Sequence, residues 1–503
     1  MEKERQNNTQ SINNIDALLS GELTSDNLKK IFSESTDIVN RNIMIKNQSD
    51  LSITLFYVDG MANQKIINDN IICPLTASKW YENCTTLSQA FSLSLDGALD
   101  VSFIKGTQST KEAVEAILVG NTILVFDKLK SAIIMSTIGF DKRAVSTAME
   151  ENTYRCGKDG FVETLRMNTA ALRKKIKNPN LCIKEITIGK QSNTRICIAY
   201  MQNICNEMFI EEIKKRIAKI NQDKAISIRD IYSNVVKEKY TPFPIATVTE
   251  KPDVCCMSLL EGKVAVIVDE LPYALVLPAV FGDFFQSSSD YGDNFLVASF
   301  FRIIRYICFY VSILLPGFFV AVTAFHPEMI PYSLAIKIAA SRTGTPFSMI
   351  LEILIMSFAF FVLIQASLQL SRAIGATISI VGGLVLGQAA ITAGIVSPAV
   401  IVVVATAAIC SMAIPDKEVN SAIWLFQLLC TLCSAFLGLM GVVLTLIILF
   451  FMLAKLSPLG VPYLSPYTTS GDLQLADSIV RFPSNLIKKR PLYLKPKNKR
   501  RKR

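Results

Sequence analysis

The sequence predicts an α/β soluble N-terminal half, made of two mixed α/β subdomains, followed by an α-helical polytopic membrane domain. Half of the 503 residues are hydrophobic, enough for a folded core and a bilayer domain together. No apolar run long enough to span a membrane precedes about residue 306, whereas such runs dominate from there to residue 454. Between Ala373 and Pro415 no residue is charged, and Gly375, Ser379, Gly383 and Gly387 recur every four residues, a helical ridge on which another backbone can pack.

Taken in order, residues 1–40 are polar and read as a partly disordered arm with one short helix. The first α/β subdomain is expected over 41–150. In it Ile53 to Val58 forms a strand ending at Asp59-Gly60, Thr110 to Val119 a threonine-capped helix, and Thr122 to Phe126 and Ala132 to Met135 short strands. The second subdomain spans 151–295. It has an amphipathic helix at Phe161 to Ile176, a hairpin from Ile186 to Met201, and helices near 206–220 and 227–236. A second hairpin pairs Val264 to Val268 with Ala274 to Leu277. No glycine-rich phosphate loop accompanies these strands.

The membrane domain is placed at 296–456, with apolar runs at Tyr306 to Phe325, Phe347 to Leu370, the central stretch and Val419 to Ala454. Four full crossings are expected, with Ala399 to Ile414 as a partial element. Residues 457–503 form a C-terminal cytoplasmic segment with a basic tail. From Ser478 onward there are eleven Lys and Arg and no acidic residue, which leaves 41 basic against 42 acidic groups elsewhere. Such a tail suits the cytoplasmic face and anionic membrane lipid, and nucleic acid is the weaker partner. A polar N-terminus without an apolar signal core is expected to stay cytoplasmic.

Twelve cysteines lack metal-like pairing, and the lone histidine, His326, removes most zinc and triad chemistry. No catalytic residue, metal or cofactor is expected, and the protein reads as no enzyme. Cys430 and Cys433, like Cys255 and Cys256, read as buried thiols. The residues of interest are polar ones in the membrane half. Thr377, Gln388 and Thr392 form a stripe away from the glycine ridge, Gln365 and Gln369 share a face, and Glu352 is a carboxylate in an apolar run. All six are candidate pore-lining or polar membrane positions, and ordinary interhelical hydrogen bonding is the alternative for the uncharged ones. The ridge residues Gly375, Ser379, Gly383 and Gly387 are candidate helix-packing positions, within one chain or between copies.

Several stretches together resemble the A subunits of spore germination receptors, the GerA family. They are GFVETLRMN with LRKKIKNPNL at 160–181, YTPFP at 240–244, TEKPD at 249–253 and LLEGKVAVIVDELPYALVLP at 259–278. The membrane half adds AFHPEMIPYSLAIKIAASRTGTPF at 324–347, SIVGGLVLGQAAITAGIVSP at 379–398 and GVPYLSP at 460–466. The resemblance implies a subunit in the inner membrane of the spore, acting with a permease-like B subunit and a lipoprotein C subunit to sense nutrients. It further implies homo-oligomers that form a gated ion channel. A secondary transporter and a non-conducting scaffold for the B subunit are the alternatives. One departure stands out. Where the family pattern resembles MELxFExLREAGxRxP, this chain reads MSFAFFVLIQASLQLS from Met356 to Ser371, so Ser357, Phe361, Ile364, Gln365 and Gln369 replace charged positions.

Overall fold

A computed structural model describes residues 15–47, 51–77, 79–81, 84–139, 157–220, 227–236, 240–369, 387–468, 477–483 and 485–501. The chain divides into a sheet unit, Met1–Lys237 with Ala246–Pro278 and Ile487–Arg503, and a helical unit, Glu238–Ile245 with Ala279–Leu486.

In the sheet unit, α1 (Ser25–Ile31) is capped by the Thr24 side chain, which accepts from the Asn27 amide. Strands β1 (Ile38–Met44) and β2 (Ser52–Val58) follow, then α2 (Leu87–Leu95), β3 (Ile104–Thr107), α3 (Thr110–Val119), β4 (Thr122–Phe126) and β5 (Ser131–Met135). These strands form one antiparallel sheet in the order β1-β2-β4-β5-β3. Both its faces are covered. Leu55, Leu124 and Phe126 pack with Leu87 and Ala90, while Phe56, Ile123 and Val125 pack with Leu28, Ile31, Ala113 and Ile117. Burial on two sides explains why β4 and β5 read as unbroken apolar runs rather than alternating ones.

The second half of this unit carries α4 (Leu165–Lys175), β6 (Leu181–Ile188), β7 (Thr194–Met201), α5 (Glu207–Ala218), α6 (Ile228–Val235), β8 (Thr247–Thr249), α7 (Pro252–Glu261), β9 (Val264–Val268) and β10 (Ala274–Leu277). Its antiparallel sheet has the order β6-β7-β9-β10-β8. The expected hairpin of β9 and β10 is present, with Ile267 opposite Ala274. The β6–β7 hairpin starts at Leu181, earlier than the sequence pattern indicates. Arg173 of α4 meets Asp37, just before β1, through Nε–Oδ2 at 2.8 Å and Nη2–Oδ1 at 2.9 Å, and Nη2 also donates to Ser35 at 3.0 Å. Both charges are fully buried, so this pair joins the two sheets.

The basic tail belongs in part to the sheet unit. The Lys497 amide donates to the Ile204 carbonyl at 2.9 Å, Lys497 Nζ reaches Glu207 at 2.6 Å, and Arg501 reaches Glu261 at 3.0 Å.

The helical unit contains α8 (Phe295–Ala324), α9 (Tyr332–Ser341), α10 (Met349–Gln369), α11 (Pro398–Met412), α12 (Lys417–Leu437) and α13 (Leu439–Lys455). Among the described residues α8, α10 and α12 are long and apolar enough to cross a membrane, and α11 and α13 are shorter apolar helices. The apolar run from 419 to 454 is therefore not one element. Gly438 takes φ +60° and ψ −137°, a conformation essentially restricted to glycine, and the chain folds back so that Gly441 lies against the backbone of Cys433 and Ser434. Gly317 faces Cys430 and Gly438 faces Phe325, so α8 and α12 run in the same direction while α13 returns. At the start of α8, Arg302 Nε and Arg305 Nη1 hold the Asp290 carboxylate at 3.0 and 2.8 Å. Arg481 donates to the main-chain oxygens of Asp290, Tyr291 and Asp293, so the chain beyond α13 comes back to the level at which α8 begins.

Candidate functional site

The polar membrane positions separate into one buried group and an outward set. Glu352 is fully buried on the first turn of α10. Its Oε2 accepts the Ser397 amide at 2.9 Å, directly before α11, and Arg342 Nε lies 3.9 Å from Oε1. The carboxylate thus stands at a helix N-terminus, where unpaired N–H groups and the helix dipole favour negative charge. Around it Ile353, Met356, Val396, Val400 and Val404 form an apolar cluster, which puts the beginnings of α10 and α11 side by side. Among the described residues Oε1 has no hydrogen-bond partner of its own.

Gln365, Gln388 and Thr392, by contrast, are exposed. Residues 387–392 are helical, and Thr392 gives its hydroxyl proton to the Gln388 carbonyl at 2.8 Å, so its oxygen remains only as an acceptor. Only 22% of the apolar span of α10 is buried, against 44% for α8 and α12, so of these three described helices α10 is the one turned most outward. Gly387 is buried, and a methyl group on it would rest 3.7 Å from Ile401, an ordinary packing contact within the chain. Thr377, Gly375, Ser379 and Gly383 lie outside the described residues, as does the side chain of Gln369.

The altered segment of α10 has a local explanation at one position. Phe361, which replaces a charged position of the family pattern, packs edge-on against Trp424 of α12 at 5.2 Å between ring centroids. An aromatic pair here serves helix packing, where a charge would need a partner.

The structure also brings together polar residues that were not singled out in the sequence. Asn420, Gln427, Thr431 and Ser434 lie seven, four and three residues apart on α12 and so share one face. Their spacing is written in the sequence, but nothing local marks a buried amide within an apolar run. In the sheet unit, burial pushes the thiols of Cys182, Cys205 and Cys256 up to about 12, which suits inert core cysteines rather than nucleophiles.

A family model described as Bacillus/Clostridium GerA spore germination protein matches residues 26–493. Spore germination protein KA of Bacillus subtilis (strain 168) is 36% identical over 463 residues, covering 92% of this chain and 84% of that protein. Spore germination protein B1 of the same organism is 31% identical over 468 residues, covering 93% and 95%. The crystal structure of the N-terminal domain of the A subunit of the Bacillus megaterium spore germinant receptor GerK3 is 26% identical, covers 52% of this chain and 98% of that one, and has a TM-score of 0.43.

Proposed function

The chain belongs to the Bacillus/Clostridium GerA spore germination protein family as a receptor A subunit, and on that premise we propose that several copies of it form a nutrient-gated ion channel in the spore inner membrane. It is a membrane protein and not an enzyme. The observation that carries the channel reading is the outward placement of Gln365, Gln388 and Thr392 on apolar helices. Facing lipid, these amides and the hydroxyl oxygen would lose their water without compensation, so they call for a neighbouring copy or a water-filled lumen. By sequence spacing Thr377 belongs with Gln388 and Thr392, and Gln369 with Gln365, while Glu352 accepts the Ser397 amide and so fixes the start of α11. The ridge of Gly375, Ser379, Gly383 and Gly387 serves helix packing.

A permease-like B subunit and a lipoprotein C subunit are the partners this reading requires. Both terminal segments are assigned to the cytoplasmic side. The clustering of Arg302, Arg305 and Arg481 at the level where α8 begins supports that side through the positive-inside bias.

Gln388→Leu is the test, expressed with the partner subunits. Complex size is expected to stay unchanged while ion release on nutrient addition is lost, because an apolar constriction dewets. Normal release from an assembled Gln388→Leu complex would remove the lumen from this face. Chains that are recovered with the permease-like partner but never with each other would favour the scaffold reading.

A further inference from the structure

We propose that each subunit holds a file of water molecules inside its own helical bundle, along the face of α12 formed by Asn420, Gln427, Thr431 and Ser434. This site lies within one chain and does not depend on how copies assemble. The central observation is Gln427. It is 2% exposed, and among the described residues neither Oε1 nor Nε2 has a hydrogen-bond partner. Asn420 Oδ1 is likewise buried without a partner among the described residues, and the buried Ser434 hydroxyl has the Cys430 thiol beside it on the same helix. From Asn420 to Ser434 the face extends over roughly 21 Å at the helical rise per residue, most of the thickness of a bilayer core.

The surroundings decide what fits there. Thr431 gives its proton to the Gln427 carbonyl and Thr445 of α13 to the Gly441 carbonyl, both at 2.9 Å. Ser312 of α8 gives its proton to the Phe309 carbonyl at 2.8 Å. These hydroxyl oxygens are left as acceptors. Pro316 lacks the N–H that would bond the Ser312 carbonyl, which adds another acceptor within the helix packed on α12. Gln427 offers two N–H groups and an acceptor oxygen together. A metal cation would satisfy the oxygen and leave the amide hydrogens unpaired, and none of these side chains is charged. Water both donates and accepts, which matches this mixture of amide donors and hydroxyl and carbonyl acceptors.

Radiolytic hydroxyl-radical footprinting of the full chain in membranes tests this, because buried side chains are labelled only where water lies beside them. Cys430, fully buried on the same turn of α12 as Gln427, packs with Ala321 and Val442 but also lies beside the Ser434 and Thr445 hydroxyls, which makes it the reporter. Met356, 2% exposed in the apolar cluster at Glu352, is the dry control. Cys430 is expected to be oxidised at the rate of an exposed cysteine while Met356 stays silent, and Gln427→Leu is expected to reduce Cys430 labelling several-fold. If Gln427→Leu misfolds, which labelling of Met356 would reveal, Thr431→Val takes its place with the same expectation. Cys430 as silent as Met356 in the folded wild-type chain overturns the proposal, as does Cys430 labelling that is unaffected in a folded variant.

Discussion

In the sheet unit, Arg173 and Asp37 are both excluded from water and meet in two parallel hydrogen bonds with Ser35 as a third partner, so that among the described residues Nη1 of Arg173 alone is left over. In the helical unit, among the described residues, Glu352 is just as buried but keeps a single close bond, and the Gln427 side chain has none. The difference is one of purpose. A charge pair satisfied by fixed neighbours joins two sheets, whereas polar groups left open among apolar helices are the places where water, ions or another subunit can act.

The largest effect is expected at Arg173. Arg173→Leu leaves the Asp37 carboxylate buried without its counter-charge and is expected to cost about 3–5 kcal/mol. Combining it with Asp37→Leu should recover most of that loss, since two apolar groups need no partners. Denaturant unfolding of the single and double variants measures both. A double variant as unstable as the single one would mean that the surrounding packing, not the charge pair, joins the sheets.

The effect at Glu352 is expected to be smaller. Glu352→Leu leaves the Ser397 amide without an acceptor, a loss of about 1–3 kcal/mol, while Arg342, about a third exposed, can turn to water. Glu352→Gln keeps an acceptor and removes only the charge at the helix N-terminus, costing about 0.3–1 kcal/mol. Thermal unfolding in detergent separates the two. Equal losses in both variants would show that the charge itself, rather than the bond to Ser397, is what the site needs.

How far the sequence could be read follows the same division. Val264 to Val268, the turn at Glu270 and Ala274 to Leu277 carry their hairpin locally, whereas the expected threonine cap of α3 is displaced by one residue: Ser109 caps the helix, its side chain accepting the Glu112 amide, and Thr110 is the first helical residue. Strands β1, β3 and β8 gave no such signal, and all three are sheet edges. Asn40, Arg41 and Asn42 in β1 and Lys105 with Gly106 in β3 belong to exposed edges that have only one neighbour and little apolar pattern. In the helical unit the apolar runs were legible, but their partners were not. Gly438 breaks a run that reads as continuous because a glycine there can equally serve close packing. Whether Gln388 faces outward and Gln427 inward depends on contacts between distant helices, and those leave no mark in local composition.

The smallest expected effect concerns the tail, where a single run of like charge divides between two roles. Lys497 is 8% exposed in its side chain and paired with Glu207, and Arg501 is paired with Glu261, so these two are committed to the sheet unit. Lys499 and Arg500 are exposed and stay available to an anionic surface. Replacing Lys497 and Arg501 by Gln should lower stability by about 0.2–1 kcal/mol for each pair, measured at low salt. The loss should shrink in about 1 M salt, where the screening length falls to about 3 Å. Replacing Lys499 and Arg500 by Gln should leave unfolding unchanged and weaken binding to phosphatidylserine vesicles by about 1 kcal/mol per residue. If the Lys497 and Arg501 variant instead loses vesicle binding with no change in unfolding, the tail leaves the sheet unit at the membrane, and the division between paired and open charge does not extend to it.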